Sequence, residues 1–269
     1  SLFLSTLEYY YDIQHADIFD ELFGELAIYE ESSELLSSYL ILRLDFGYLD
    51  VSHGLDSFDQ SMDEQIYSKL DDFAKQYFTY IGDIDISPKY QITTNLMNIF
   101  LKAFSKKMNI YILIDEYDSS INELIRYENQ ELLDTLLKHG VISSFKRIFS
   151  CIKAHLNKGV GKVFITGVTQ LALNNLTSGL NIAKDITFNH NFANLCGFRP
   201  DDVYCVLSEN NEALTFMIDH FNGYNFGNGD LMNSTLCIAF LEKFVDTGEY
   251  LYDDHNVHPS ESLLQFIYR

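Results

Sequence analysis

The segment Tyr111-Ile-Leu-Ile-Asp-Glu-Tyr-Asp118 runs an apolar stretch directly into three carboxylates, Asp115, Glu116 and Asp118. Adjacent acids at the end of a buried strand are how nucleotide hydrolases present carboxylates to a metal ion, in the pattern known as Walker B. In that chemistry Asp115 holds Mg2+, as a rule through a water, and Glu116 orients and deprotonates the attacking water. The blander reading is that the three acids mark where a buried strand meets solvent. A second apolar run, Lys162-Val-Phe-Ile-Thr-Gly-Val168, carries Thr166 near its end. If the two strands are neighbours, that hydroxyl reaches the γ-phosphate or the attacking water from beside Glu116, which is a sensor role.

The chain contains no Gly-x-x-x-x-Gly-Lys-Ser/Thr segment, the loop whose backbone N–H groups and lysine cradle phosphates. It opens on Ser1-Leu-Phe-Leu-Ser-Thr-Leu7, which reads as the helix that follows such a loop. On that reading the chain starts one residue after its phosphate-binding lysine, and Ser1 takes the place of the hydroxyl that binds the nucleotide's metal. Arg126, Lys146, Arg147 and Arg199 are candidates for stabilising phosphate charge, although exposed cations on helices are most often solvated surface.

Other chemistries find little support. The eight histidines form no His-Glu-x-x-His or similar ligand pair, and no Gly-x-Ser-x-Gly elbow is present. Cys151, Cys196, Cys205 and Cys237 have neither Cys-x-x-Cys spacing nor zinc-type partners and are expected as buried free thiols. Two Asn-x-Ser/Thr triplets, at Asn175 and Asn233, carry no weight without a secretory signal.

The elements that must position these residues are legible as alternating patterns. Tyr39 to Phe46, Ile110 to Ile114 and Lys162 to Val168 are short bulky apolar runs, as expected of parallel strands buried on two faces. Met62, Ile66, Leu70, Phe73, Tyr77 and Tyr80 recur at three and four residues, which predicts a covering helix from about Asp59 to Tyr80. Leu96, Ile99, Phe100 and Ala103 predict another before the second strand. Phe145, Ile148, Phe149, Ile152 and Leu156 predict a third before the third strand. The expected fold is a three-layer α/β domain over residues 1–190, followed by a smaller helical C-terminal lobe over 191–269. In that lobe Leu214 to Phe221 reads as helix and the Gly- and Asn-rich Asn222 to Gly229 as turns.

With 269 residues and 47% hydrophobic composition, the chain can bury a substantial core. Its net charge of -21 argues against direct nucleic-acid binding, which needs cations to neutralise phosphates. Arg43 is the one Lys or Arg before Lys69, and most of the rest lie between Lys102 and Lys184, where an anion-binding surface is expected. No apolar stretch is long enough to cross a membrane. An intracellular location, cytoplasm or nucleus, is the expectation.

Several segments in order resemble the AAA-ATPase-like family, divergent P-loop NTPase domains found in bacteria and expanded in some fungi. They are Ser1 to Leu7, Tyr111 to Asn122, Lys162 to Thr169, Thr177-Ser-Gly-Leu-Asn-Ile-Ala-Lys-Asp-Ile-Thr187, Phe192 to Phe198 and Phe221 to Phe226. The resemblance implies ATP and Mg2+ as ligands of the complete parent, Asp115 and Glu116 as Walker B carboxylates, and Thr166 as the polar residue ending the next strand. It also implies a P-loop sheet lacking its first strand, and so a slot between neighbouring strands with unpaired backbone groups. The present chain alone is then expected to be inactive. An alternative is a catalytically inactive interaction or effector-type module, whose acidic, Tyr-rich surface suits protein partners.

Overall fold

The computed structural model describes residues 2–47, 49, 55–119, 122, 141–167, 183–207, 210–225 and 230–248. The chain divides into two compact units, Ser1–Ala183 and Lys184–Arg269.

Among the described residues, the first unit is built on three parallel strands, β1 (Tyr39–Asp45), β2 (Asn109–Asp115) and β3 (Val160–Ile165), in the order β1-β2-β3. The register aligns Asp45 with Asp115 and Ile114 with Ile165, so all three strands end at the same edge. Among the described residues these three strands are contiguous, and the expected slot does not lie between them. The incompletely covered strand is β3, half-buried along most of its length and paired, among the described residues, with β2 alone.

Alternation along each strand sorts its side chains onto two faces. Leu40, Leu42 and Leu44 of β1 and Ile110, Ile112 and Ile114 of β2 enter the main core. That face is covered by helices α2 (Leu55–Gln76), α3 (Ile92–Ser105) and α4 (Val141–Ala154), through Met62, Ile66, Leu70, Leu96, Ile99, Phe100, Phe145, Ile148 and Ile152. The opposite face, Tyr39, Ile41, Tyr111 and Leu113, packs on Leu4 and Leu7 of helix α1 (Leu2–Tyr11). Helices thus lie on both faces, and the continuous apolar runs of β1 and β2 follow from burial on both sides.

The expected helix to Tyr80 is interrupted. Regular helix stops at Gln76, Tyr77 has φ -102°, and a short helical turn Phe78–Ile81 follows before Gly82 at φ 74°. The break turns the Tyr77 hydroxyl inward, where it donates to Asp12 Oδ2 at 2.7 Å. The third strand begins two residues earlier than its apolar run suggested and stops at Ile165, which leaves Thr166 just beyond the strand.

The second unit has its own core of Val203, Leu207, Ala213, Met217, Phe221, Met232, Cys237 and Phe240. Its helices are α5 (Pro200–Tyr204), α6 (Asn211–Phe221) and α7 (Ser234–Thr247). An antiparallel pair, β4 (Asn222–Asn225) and β5 (Asp230–Met232), lies between α6 and α7 in the chain, so the unit is not wholly helical as expected. Asn233, the start of one glycosylation-like triplet, is the N-cap of α7 and accepts a hydrogen bond from the Leu236 N–H at 3.1 Å. Cysteines depart from the expectation of burial: Cys237 is buried, Cys151 half-buried, and Cys196 and Cys205 exposed. No helix among the described residues is long and apolar enough to cross a membrane.

Candidate active site at the carboxyl edge of the sheet

The ends of three parallel strands bring acids and a hydroxyl together. Asp115 is the last residue of β2 and is buried. Thr166 follows β3 by one residue, and its hydroxyl donates to Asp115 Oδ1 at 2.6 Å. The two positions are 51 residues apart in sequence and meet because β2 and β3 are adjacent. The ladder continues past the strand ends: the Thr166 N–H donates to the Ile114 carbonyl at 2.8 Å, and the Phe46 N–H to the Asp115 carbonyl at 3.1 Å.

Glu116 stands outside the sheet with φ 50°, in the left-handed region that side chains of its kind seldom occupy. Such a conformation costs on the order of 1 to 3 kcal/mol and persists where the surroundings fix it. Here the following residues do so, since Tyr117 and Asp118 are buried and the Tyr117 N–H donates to the Thr166 carbonyl at 3.3 Å. The kink takes Glu116 off the strand's alternation and into solvent beside the acids. Its carboxyl is pushed above the ordinary carboxylate range by partial desolvation first, then by repulsion from Asp45, Asp115 and Asp118.

Two glycines leave room for this arrangement. A Cβ on Gly47 would stand 2.6 Å from Glu116 Oε2 and 3.1 Å from Asp45 Oδ1. A Cβ on Gly167 would collide with the Tyr117 ring and Asp118 Oδ1. The glycine in the Thr166-Gly167 pair is therefore what lets the segment after β3 lie against the one after β2.

Three residues of the site were not singled out from sequence: Asp45, Gly47 and Arg43. Asp45 lies opposite Asp115 in the register, and the Gly47 N–H donates to Asp45 Oδ1 at 2.9 Å. Arg43 Nη2 lies 3.7 Å from Asp115 Oδ2, while its Nη1 reaches Ser5 Oγ and Glu8 Oε2 of α1. The available signal was the strand end Leu42-Arg-Leu-Asp-Phe-Gly47, where period two puts Arg43 and Asp45 on one face.

Of the remaining candidates, Ser1 and Arg126 lie outside the described residues, as do 177–182 of the Thr177 to Thr187 segment. Lys146 and Arg147 are exposed on α4. Arg199 is engaged locally in the second unit, at 3.2 Å from Asp202 Oδ1. Among the described residues no three His, Cys, Asp or Glu side chains form a metal cage. The strand-end donors are all oxygen, which suits Mg2+. That ion is bound through one or two carboxylates together with substrate phosphates rather than in an all-protein cage.

In open parallel α/β sheets ligands bind at the carboxyl edge, and this sheet gathers carboxylates and a hydroxyl there. The chain matches the AAA-ATPase_like family model, described as "Predicted AAA-ATPase", over residues 1–177. It belongs to that family. No curated protein and no solved structure matches it.

Proposed function

We propose that this domain binds magnesium-ATP at the carboxyl edge of its sheet and hydrolyses it by water attack on the γ-phosphate. The observation that carries the reading is the 2.6 Å hydrogen bond from Thr166 to Asp115, which joins the two strand ends that the chemistry requires side by side. Mg2+ at this edge would supply positive charge to offset the negative charge that develops on the phosphate. Asp115 would hold the ion, with Ser1 as a second oxygen donor. Glu116, its proton affinity raised by partial desolvation and then by neighbouring acids, would orient the water and take its proton. Thr166 would fix Asp115 and sense the γ-phosphate from the adjacent strand.

The test is nucleotide binding by the full protein with and without Mg2+. Asp115→Asn should remove the Mg2+-dependent part of ATP binding and leave the metal-free part within about twofold. Equal Mg2+ dependence in wild type and variant would refute the reading and leave the interaction-module alternative in its place.

Gly47 offers a second check. An added methyl meets the far end of the flexible Glu116 side chain, which can swing away, so Gly47→Ala should alter stability by less than about 1 kcal/mol. A displacement of a catalytic group by about 1 Å can cost on the order of 10²-fold in rate. The expected result is an intact fold with turnover reduced on that scale. Unchanged turnover would mean that Glu116 does not work from the position it holds here.

A further inference from the structure

Arg43 is a charged residue on a strand whose other side chains are apolar up to its last residue, Asp45, and it points at the face covered by α1. Its Nη1 donates to Ser5 Oγ at 3.0 Å and to Glu8 Oε2 at 3.3 Å, both on α1. Its Nη2 lies 3.7 Å from Asp115 Oδ2, too far for a hydrogen bond but close enough for charge to act. The two Asp115 oxygens therefore have different neighbours: Oδ1 takes the Thr166 hydroxyl at 2.6 Å, and Oδ2 faces the guanidinium. Orientation of the carboxylate is set by Thr166. Its charge is offset by Arg43.

We propose that Arg43 is a built-in counter-charge that keeps Asp115 from capturing a divalent cation until the cation arrives with nucleotide. This rests on the reading of Asp115 as the metal-holding residue. A cation at Asp115 would sit within several ångströms of the guanidinium and be repelled by it, while ATP phosphates would supply the negative charge that makes the same position favourable. Ser5 and Glu8 hold the guanidinium back from full contact, so that its charge acts on Asp115 without a hydrogen bond between them. Arg43 is thus a positioning residue acting through Asp115, and it makes metal binding depend on nucleotide.

The experiment is titration of the full protein with Mn2+ alone, following free Mn2+ by electron paramagnetic resonance. Arg43→Met, which keeps the stem and removes the charge, should tighten Mn2+ binding by about tenfold, the order of effect expected from one cation nearby at a partly exposed site. Arg43→Lys should remain within about twofold of wild type. Glu8→Gln, which frees the guanidinium to close on Asp115, should weaken Mn2+ binding, and it provides a second reading should Arg43→Met fail to fold. With ATP present the gap between Arg43→Met and wild type should narrow. A merely structural role for Arg43 predicts weaker binding in Arg43→Met, and weaker or unchanged binding would overturn the proposal. If Asp115→Asn abolishes Mn2+ binding while Arg43→Met fails to tighten it, the counter-charge idea falls and the metal site stands. If Asp115→Asn leaves Mn2+ binding unchanged, both fall.

Discussion

Glu116→Gln should abolish ATP turnover in the full protein, by about 10² to 10⁴-fold, the usual worth of a positioned general base. ATP binding should survive, because the substitution keeps shape and hydrogen-bonding length while removing the proton acceptor. The same change should also stabilise the fold at neutral pH. Glu116 occupies the left-handed region at φ 50° and faces Asp45, Asp115 and Asp118, and its carboxyl is held above its ordinary value of 4.5 by desolvation and by those charges. The folded state therefore binds the proton more tightly than the unfolded chain does. Stability falls as pH rises from the unfolded value through the folded one, and above it the penalty is constant. Glutamine carries no such penalty. The variant should melt above wild type at pH 7, with the difference closing as pH drops below the ordinary Glu range. Turnover within threefold of wild type would remove Glu116 from the mechanism. A melting point at or below wild type at pH 7 would refute the electrostatic account of the site. Opposite movements of activity and stability are expected of a group placed for chemistry rather than for folding.

Much of the α/β unit was legible because parallel strands buried on two faces need continuous apolar runs, and β1 and β2 supply them. The start of β3 was less so, since Val160 lies between Gly159 and Gly161 and a run interrupted by glycines does not read as strand. Gly161 is there because a Cβ would meet the Tyr39 ring at 2.8 Å, a constraint that exists only after folding. The break in the covering helix was hidden because the hydroxyl of Tyr77, the residue at the break, finds its partners Asp12 and Ile41 far away in sequence. The β4–β5 pair was hidden because four and three residues carry too few alternations to distinguish strand from turn. At the candidate site, the meeting of Asp115 with Thr166 was legible because each stands at the end of an apolar run, and Glu116 because it follows Asp115. Asp45, Gly47 and Arg43 required the register of β1 against β2, which a single sequence does not contain.

Tyr77→Phe should cost the first unit about 2 to 5 kcal/mol, a large part of the typical total of about 5 to 15 kcal/mol. The hydroxyl is fully buried and does two jobs. It donates to Oδ2 of the equally buried Asp12 at 2.7 Å, and it accepts the Ile41 N–H at 3.0 Å. Ile41 belongs to β1, the strand at the other margin of the three-stranded sheet, so a side chain from the end of α2 satisfies a backbone donor of that strand. Gln76 Nε2 donates to the same hydroxyl at 3.1 Å, and the Gln14 N–H donates to Asp12 Oδ1 at 3.0 Å. Burial, and after it the Asp12 charge, raise the phenol far above its ordinary range, so it stays protonated and remains a donor. Phenylalanine keeps the ring packing but leaves a buried carboxylate short of a donor and a buried N–H without its acceptor, each costing about 1 to 3 kcal/mol. Chemical denaturation of the single variants and of Tyr77→Phe with Asp12→Asn separates the terms. If the groups act as one network, the double variant should lose about 1 to 3 kcal/mol less than the sum of the singles. Strict additivity would mean that Tyr77 and Asp12 stabilise α1, α2 and β1 independently, and the tie between helix end and sheet margin would be two contacts rather than one.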